Sequence, residues 1–472
     1  MNRPGDARLT LGIATLALLS GFALLILSGV LSPWAPEGDI RAPQLAGALL
    51  AGLGFTLAVI QRPSLLVVFS LLGVVLDQWE SLDLIGLPQL TLTKLLALLG
   101  GTVLVARILV GRENRPFLFP APALAHLPFS LVCVISTLAF AYSPRGALRW
   151  LTAPVFLPLF AILLTQFVNE RREALRLLKV FVVLSFFPMG VAFFEALRGR
   201  SLTGPIELGV TNLFRVAGNF ENPNDFVVLM LFSIPVLLLW GVHSQSLGAK
   251  LLLFGGAFFQ GLLLLKTYSR SGYVSMAFAI TSIAFLGRGK VRRYAIAACV
   301  LGACSLLLLP DTRDRIVTLF GIQSKTVSLA ESFESINTRK LLADAAWSEF
   351  LKNPLLGVGF GNFPARAKTY SDLITQETAE STFLQILAET GLVGFGAFGL
   401  FLWTCWRSLR TGLARAREQP EYELFYIGLA AGYFGYLLNC LFDTNLEDNL
   451  PWVLLPLLVF LGGSHDMDAQ RD

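Results

Sequence analysis

Apolar stretches long enough to bury a helix in lipid follow one another along nearly the whole chain, and one long polar segment, Pro310 to Glu380, interrupts them. With 54% hydrophobic and 15% charged residues, the chain has more apolar surface than a soluble domain can hide, so its solvent is a bilayer. A spanning helix needs about 20 apolar residues, fewer where neighbours shield it. About fourteen runs qualify, near residues 9–31, 44–60, 64–77, 92–110, 122–141, 150–168, 177–197, 225–242, 250–267, 271–287, 294–309, 382–406, 423–442 and 450–463. The third is short enough to be half-inserted. Their apolarity is continuous, not alternating, which selects helices over a β-barrel in a solvent that cannot satisfy exposed backbone groups. The expected fold is therefore all-α: a single integral membrane domain over residues 1–472, polytopic, with about fourteen transmembrane helices. Its one large loop, residues 310–381, lies between the eleventh and twelfth of them.

Basic residues set the expected orientation. If Arg3 and Arg8 are cytoplasmic, alternate loops receive Arg62; Arg107, Arg112 and Arg115; Arg171, Arg172, Arg176 and Lys179; Lys250; Arg288, Lys290, Arg292 and Arg293; and Arg407, Arg410, Arg415 and Arg417. The intervening short loops receive few, the positive-inside pattern. Both termini are then cytoplasmic and the long loop is on the outer side. The first span is too long, and too poor in a small-residue cleavage site, to read as a removed signal peptide. Cys133, Cys299, Cys304, Cys405 and Cys440 all fall inside expected spans and read as small packing residues. His126, His243 and His465 form no cluster, so no metal site is expected. A net charge of +5 is ordinary for such a protein and does not point to nucleic acid.

The long loop reads in parts. Residues 310–337 are polar and expected to be irregular. Residues 338–352 read as an amphipathic helix, capped by Asn337 or Thr338, with Leu342, Ala346 and Phe350 at four-residue spacing and an end at Asn353-Pro354. A glycine turn follows, from Gly357 to Phe363, and a polar stretch ends at Glu380-Ser381-Thr382.

Four clusters map to the outer side. Arg215 to Asp225 precede the eighth span, and Tyr268-Ser269-Arg270-Ser271-Gly272 form a tight hairpin. Asn353 to Phe363 make the glycine turn, and Glu380-Ser381-Thr382 re-enter the membrane. Arg270 is held at the boundary by two helices, so its guanidinium is either a phosphate ligand or an interfacial arginine reaching to headgroups. Arg215 admits the same two readings. Asn222-Pro223-Asn224 reads as a helix start with Asn224 as cap, or as a ligand group. The run 357–361 lacks the following Lys-Ser/Thr of a phosphate-binding loop and reads first as a backbone-shape element. Glu380 is the candidate general base, because partial burial at a re-entry point raises a carboxylate toward neutrality. It reads equally as a solvated acid near a helix N-terminus. Asp443, Glu447 and Asp448 read as hydroxyl or cation ligands, or as solvated acids.

In order, Arg215…Gly-Asn-Phe-Glu-Asn-Pro-Asn, then Tyr-Ser-Arg-Ser-Gly, then Asn-Pro-Leu-Leu-Gly-Val-Gly-Phe-Gly-Asn-Phe, then Ser-Thr-Phe-Leu-Gln-Ile-Leu-Ala-Glu-Thr-Gly-Leu-Val-Gly resemble the O-antigen ligase and O-antigen polymerase superfamily. The resemblance covers roughly residues 210–405, while the first two hundred match only as spans. It implies a metal-independent, inverting glycosyltransferase of the bacterial inner membrane, without cofactor, acting at the periplasmic face. Its implied partners are a polyprenyl-pyrophosphate-linked oligosaccharide, an acceptor glycan, the lipid bilayer and a chain-length regulator. It implies that Arg215 and Arg270 bind the pyrophosphate and that Glu380 acts with them in catalysis. Asn222, Asn224, Tyr268, Ser381, Gly359 and Asn362 become candidate substrate-binding residues. Ligases of this type carry His-Asn where this chain has Glu380-Ser381, which favours the polymerase over transfer to lipid A core. A lipid-linked oligosaccharide flippase is the rival of another class. It would show repeat symmetry and charges deep in its spans. A cell-wall glycan polymerase of the shape-and-division type is a further rival, disfavoured by the glycine and Asn-Pro-Asn motifs.

Overall fold

A computed structural model describes residues 54, 56–76, 92–109, 116–140, 144–201, 214–308, 329–370 and 378–463. Among these no strand occurs. The helices are α1 (Leu65–Leu76), α2 (Leu92–Leu109), α3 (Ala121–Ala139), α4 (Pro144–Thr165), α5 (Arg171–Leu184), α6 (Phe186–Arg198), α7 (Pro223–His243) and α8 (Leu247–Lys266). They continue as α9 (Arg270–Leu286), α10 (Lys290–Leu308), α11 (Leu329–Lys352), α12 (Phe363–Ala367), α13 (Thr382–Ala416), α14 (Pro420–Asn439) and α15 (Leu450–Leu461).

Each expected apolar run from 64–77 onward coincides with a helix, except that 177–197 is two helices, α5 and α6, joined at Ser185. The run 9–31, most of 44–60 and the segment 310–328 lie outside the described residues. Among the described residues six helical stretches have the length and apolarity to cross a bilayer: α2, α3, α5 with α6, α7, α8 and α13. Others are apolar but shorter, including α1, α9 and α15. The long loop also departs from expectation. Its helix begins at Leu329, not at 338, so residues 329–337 are helical and Asn337 and Thr338 are interior positions instead of caps.

The bundle is built around α7. Seventy-eight per cent of its apolar window is buried, against 22% for α2 and 28% for α8. It packs against α8, α9 and α14, and α13 packs against α3 and α11. Outward-facing side chains such as Leu98, Leu109, Leu252 and Phe285 are exposed apolar groups, the surface lipid should cover. Polar side chains join helices inside: Ser233 Oγ on α7 donates to Gln260 Oε1 on α8 at 2.6 Å, and Gln260 Nε2 donates to Ser185 Oγ at 3.1 Å. Without water, such bonds are a main source of helix–helix adhesion.

The feature that shapes the end of the bundle where the long loop packs is a break in α13. Gly391 has φ 62° and ψ −161°, a conformation open essentially to glycine alone. The break removes two helical hydrogen bonds, freeing the carbonyls of Ala388 and Glu389 and the N–H groups of Leu392 and Val393. The turn after α11 takes up all four. Val358 N donates to Ala388 O and Gly359 N to Glu389 O, each at 3.0 Å. Leu392 N donates to Pro354 O at 2.8 Å and Val393 N to Leu355 O at 3.1 Å. The two backbones touch, since a Cβ on Gly391 would lie 2.5 Å from the Leu355 carbonyl. Gly391→Ala should therefore destabilise the protein by at least about 2 kcal/mol, from strain plus the separated crossing. Thermal unfolding in detergent measures this, and an unchanged midpoint would show that the crossing is dispensable.

Candidate functional site

Helices α7, α9 and α13 begin at one end of the bundle, where α8 and α14 end. The opposite end carries Arg171, Arg288, Lys290, Arg407 and Arg417, at the far termini of these and neighbouring helices. Helix N-termini favour anions.

The segment before α7 is shaped by a buried acid. Glu195 Oε2 on α6 accepts from Ala217 N at 3.1 Å and Gly218 N at 2.9 Å, and Asn219 Nδ2 donates to Val75 O at 2.7 Å. Gly218 has φ 64°, and a Cβ there would meet the Pro188 carbonyl at 2.8 Å. Arg215 is thereby aimed inward. Its Nε donates to Thr267 O at 2.8 Å and its Nη2 to Asn224 Oδ1 at 3.4 Å. The cap of α7 is Asn222, not Asn224: the Asn222 side chain accepts from Asn224 N at 2.9 Å, with Pro223 at the first helical position. Asn224 is left free to face the hairpin.

In that hairpin Tyr268 is buried with φ 49°, a left-handed conformation that is strained for a tyrosine. Ser269 caps α9 by accepting from Gly272 N at 3.1 Å, and its Oγ donates to Asn224 Oδ1 at 2.8 Å. Arg270, half-buried, is the first residue of α9, next to this contact.

The outer loop supplies the lid side. Leu342, Ala345 and Ala346 on α11 pack with Phe363, Ala379 and Ala388. Buried Glu349 accepts from Lys352 Nζ at 2.7 Å, Arg366 Nη1 at 3.1 Å and Tyr370 Oη at 2.6 Å, fastening α11 to the chain after it. Gly359 and Asn362 belong to this fastening. Gly359 has φ 98°, and Asn362 Nδ2 donates to Phe140 O at 2.7 Å and Val358 O at 3.1 Å, tying the turn to α3. Ser136 on α3 also donates to Leu356 O and Glu389 O, at 3.2 and 2.9 Å.

Glu380 closes the cluster. It has φ 53° and pairs with Arg339 Nη2 of α11 at 3.1 Å. Ser381 follows as a buried residue at the cap position of α13, without a side-chain cap bond. Thr382 is stitched to the loop after α14: its N and its Oγ1 each donate to Asp443 O at 3.0 Å. Asp443 is itself buried. Burial pushes Glu380 above the usual carboxylate range, as does the Asp443 carboxylate, while Arg339 and Arg215 hold it down. Burial likewise raises Asp443, countered by the Thr444 N–H, Arg339, Asn224 and Arg215.

Arg215, Asn224, Ser269, Arg339, Glu380 and Asp443 thus converge from five separate segments. Arg339 is the member that the sequence did not single out, because it is one of several basic residues on an amphipathic helix. Asp443, which the sequence leaves as a hydroxyl or cation ligand or a solvated acid, is buried under the start of α13. Among the described residues no group of three or more His, Cys, Asp or Glu side chains is placed to hold a metal ion. A pair of arginines beside a carboxylate raised by burial, at helix N-termini, can bind a diphosphate and deprotonate a hydroxyl. If Glu380 is the base, Arg339→Ala should raise its pKa further. The acid limb of the pH–rate profile should then move to higher pH, and a shift to lower pH would contradict the assigned charges.

Below the cluster an apolar cavity of about 600 Å³ runs among α3, α13, α14 and α15. Thr382, Cys440 and Asn445 line its upper end, Phe401 and Trp452 its middle, and Gly412 its far end.

A comparison with curated proteins finds no match to this chain. Residues 255–399 do match a family model, described as O-Antigen ligase. This stretch holds the hairpin with Arg270, all of α11, Glu380 and the break in α13. Residues 255–399 are thus similar to an O-antigen ligase domain and hold Ser269, Arg339 and Glu380 of the cluster, while Arg215, Asn224 and Asp443 come from the apolar helical bundle around them.

Proposed function

We propose that the protein is a membrane glycosyltransferase that moves a glycan from a polyprenyl-pyrophosphate donor to an acceptor sugar hydroxyl. It acts at the periplasmic face of the bacterial inner membrane and joins repeat units of an O-antigen or exopolysaccharide. The observation that carries this reading is the convergence of Arg215 and Arg339 on Glu380 at the bundle end where α7, α9 and α13 begin. The arginines and helix N-termini suit a pyrophosphate, and Arg270 opens α9 beside them. The cavity beneath suits the isoprenoid tail, because it is apolar and reaches Thr382 and Asn445.

In the reaction the acceptor oxygen attacks the anomeric carbon from the face opposite the pyrophosphate, inverting it. Glu380 takes the hydroxyl proton. The arginines stabilise the charge that develops on the leaving group. No step requires a metal or cofactor. Ligation to lipid A core is the second reading, favoured by the name of the matching family. Glu380, in the place of the ligase histidine, favours polymerisation.

The deciding experiment is a gel of surface and lipid-linked glycans from a strain lacking the gene. Collapse of a polymer ladder to single repeats identifies a polymerase. Accumulated long chains still on the polyprenyl carrier identify a ligase. Single units trapped on the cytoplasmic side would identify a transporter and overturn the proposal.

A further inference from the structure

Asp443 carries an unused group. It is only 8% exposed. Its Oδ1 accepts from Thr444 N at 2.9 Å, while its buried Oδ2 has no hydrogen-bond partner among the described residues. Asn224 lies alongside without a well-formed bond to that oxygen. A buried carboxylate oxygen left without a donor is costly and calls for a partner, and a ligand can supply it. The residue is held where a substrate would meet it. Its carbonyl accepts both the N–H and the hydroxyl of Thr382, and Asn445 N donates back to Thr382 Oγ1 at 3.0 Å. That pins the Asp443 side chain beside Glu380 at the start of α13. The groups facing the two acids are Arg339 from α11, Arg215 and Asn224 from the start of α7, and Thr444. On the glycosyltransferase reading, the arginines serve the pyrophosphate. Among the described residues no third acid or histidine is placed to complete a metal site, and a neutral hydroxyl is a donor that fits Oδ2.

Resting on that reading, we propose that Asp443 Oδ2 receives a second hydroxyl of the acceptor sugar, on the carbon next to the attacking one. The site then selects acceptors with free hydroxyls on adjacent carbons. The attacking oxygen forms its bond to the anomeric carbon while the bond from that carbon to the pyrophosphate oxygen breaks. The bonding electron pair leaves on the phosphate, and the proton passes to Glu380 and then to water. Asp443 exchanges no proton. It holds the acceptor ring so that one oxygen faces the anomeric carbon, which makes it a specificity residue. A site built to pair a hydroxyl rejects analogues lacking it far more strongly than an apolar pocket rejects a change of size.

The test uses the full-length protein in detergent. The donor is polyprenyl-pyrophosphate-linked oligosaccharide extracted from host membranes, held saturating, and the acceptor is the free repeat unit released from it by mild acid. Asp443→Asn should raise the acceptor KM by about tenfold or more with a smaller fall in kcat, as loss of a charged hydrogen bond does. Asp443→Glu should recover part of the loss. Asp443→Asn also removes a charge that raises Glu380, so the acid limb of the pH–rate profile should move to lower pH. A purely structural role would reduce the amount of folded enzyme and move neither quantity. Folded Asp443→Asn with wild-type acceptor KM and an unmoved acid limb would overturn the proposal. Arg270→Ala run alongside separates the two levels. If it is inactive while Asp443→Asn is unchanged, only the acceptor proposal falls, and if the wild-type protein itself transfers no glycan the glycosyltransferase reading falls as well.

Discussion

Glu380→Gln should lower the turnover of glycan transfer by about 10²- to 10⁴-fold, the usual share of a general base. The substitution keeps the shape of the side chain and a hydrogen-bond acceptor toward Arg339, so the protein should reach the membrane in normal amount. What it removes is the ability to take a proton. The carboxylate is suited to that task because burial and Asp443 raise it above the usual carboxylate range while two arginines oppose the rise. Its left-handed backbone fixes its direction at a cost of order 1–3 kcal/mol, strain that persists where the surroundings impose it. The checks are the length distribution of surface glycan in complemented cells and single-turnover transfer with purified enzyme. Wild-type turnover from the glutamine variant would remove Glu380 from the chemistry.

Arg215→Ala should lower kcat by about 10²- to 10³-fold, comparable to losing one preorganised donor aimed at developing charge. Part of the loss is geometric. The guanidinium ties the segment before α7 to the Thr267 carbonyl and shares Asn224 with Ser269, so its removal loosens two of the segments that build the site. Arg215→Lys separates the contributions: it keeps the charge but loses the planar fork, and should retain more activity than alanine. Arg215 also holds Glu380 down, so Arg215→Ala should move the acid limb of the rate profile to higher pH. Activity of Arg215→Ala within a few-fold of wild type would refute a leaving-group role.

The motif-bearing residues divide into two kinds that one-dimensional pattern does not separate. Arg215, Asn224 and Glu380 join a single charged cluster, and Arg270 sits at its edge on the first turn of α9. Gly359 and Asn362, from the same run of motifs, are buried in the turn that docks on α3 and on the break in α13. The motifs Leu-Gly-Val-Gly-Phe-Gly-Asn and Glu-Thr-Gly-Leu-Val-Gly are two halves of one backbone crossing, each supplying the hydrogen-bond groups the other lacks. Asn222 and Asn224 show the same division two residues apart. One caps α7 and the other faces the hairpin, because Pro223 fixes which residue stands outside the helix.

Sequence alone determined the all-helical, lipid-dissolved character of the chain, the positions of its apolar runs, and the basic end of the bundle. These follow from composition and period, since hydrocarbon tolerates only helices whose backbone is satisfied within the segment. It also marked the four clusters, because tightly turned loops at a membrane boundary hold few residues. Only the tertiary structure decided how they meet. The packing of α11 against α13 brings Arg339 to Glu380, the Thr382 contacts bury Asp443, and the break at Gly391 seats the glycine turn. Each depends on contacts between residues far apart in the chain, and burial, ion pairing and the loss of two helical hydrogen bonds acquire their sign only when the partner that supplies them is in place.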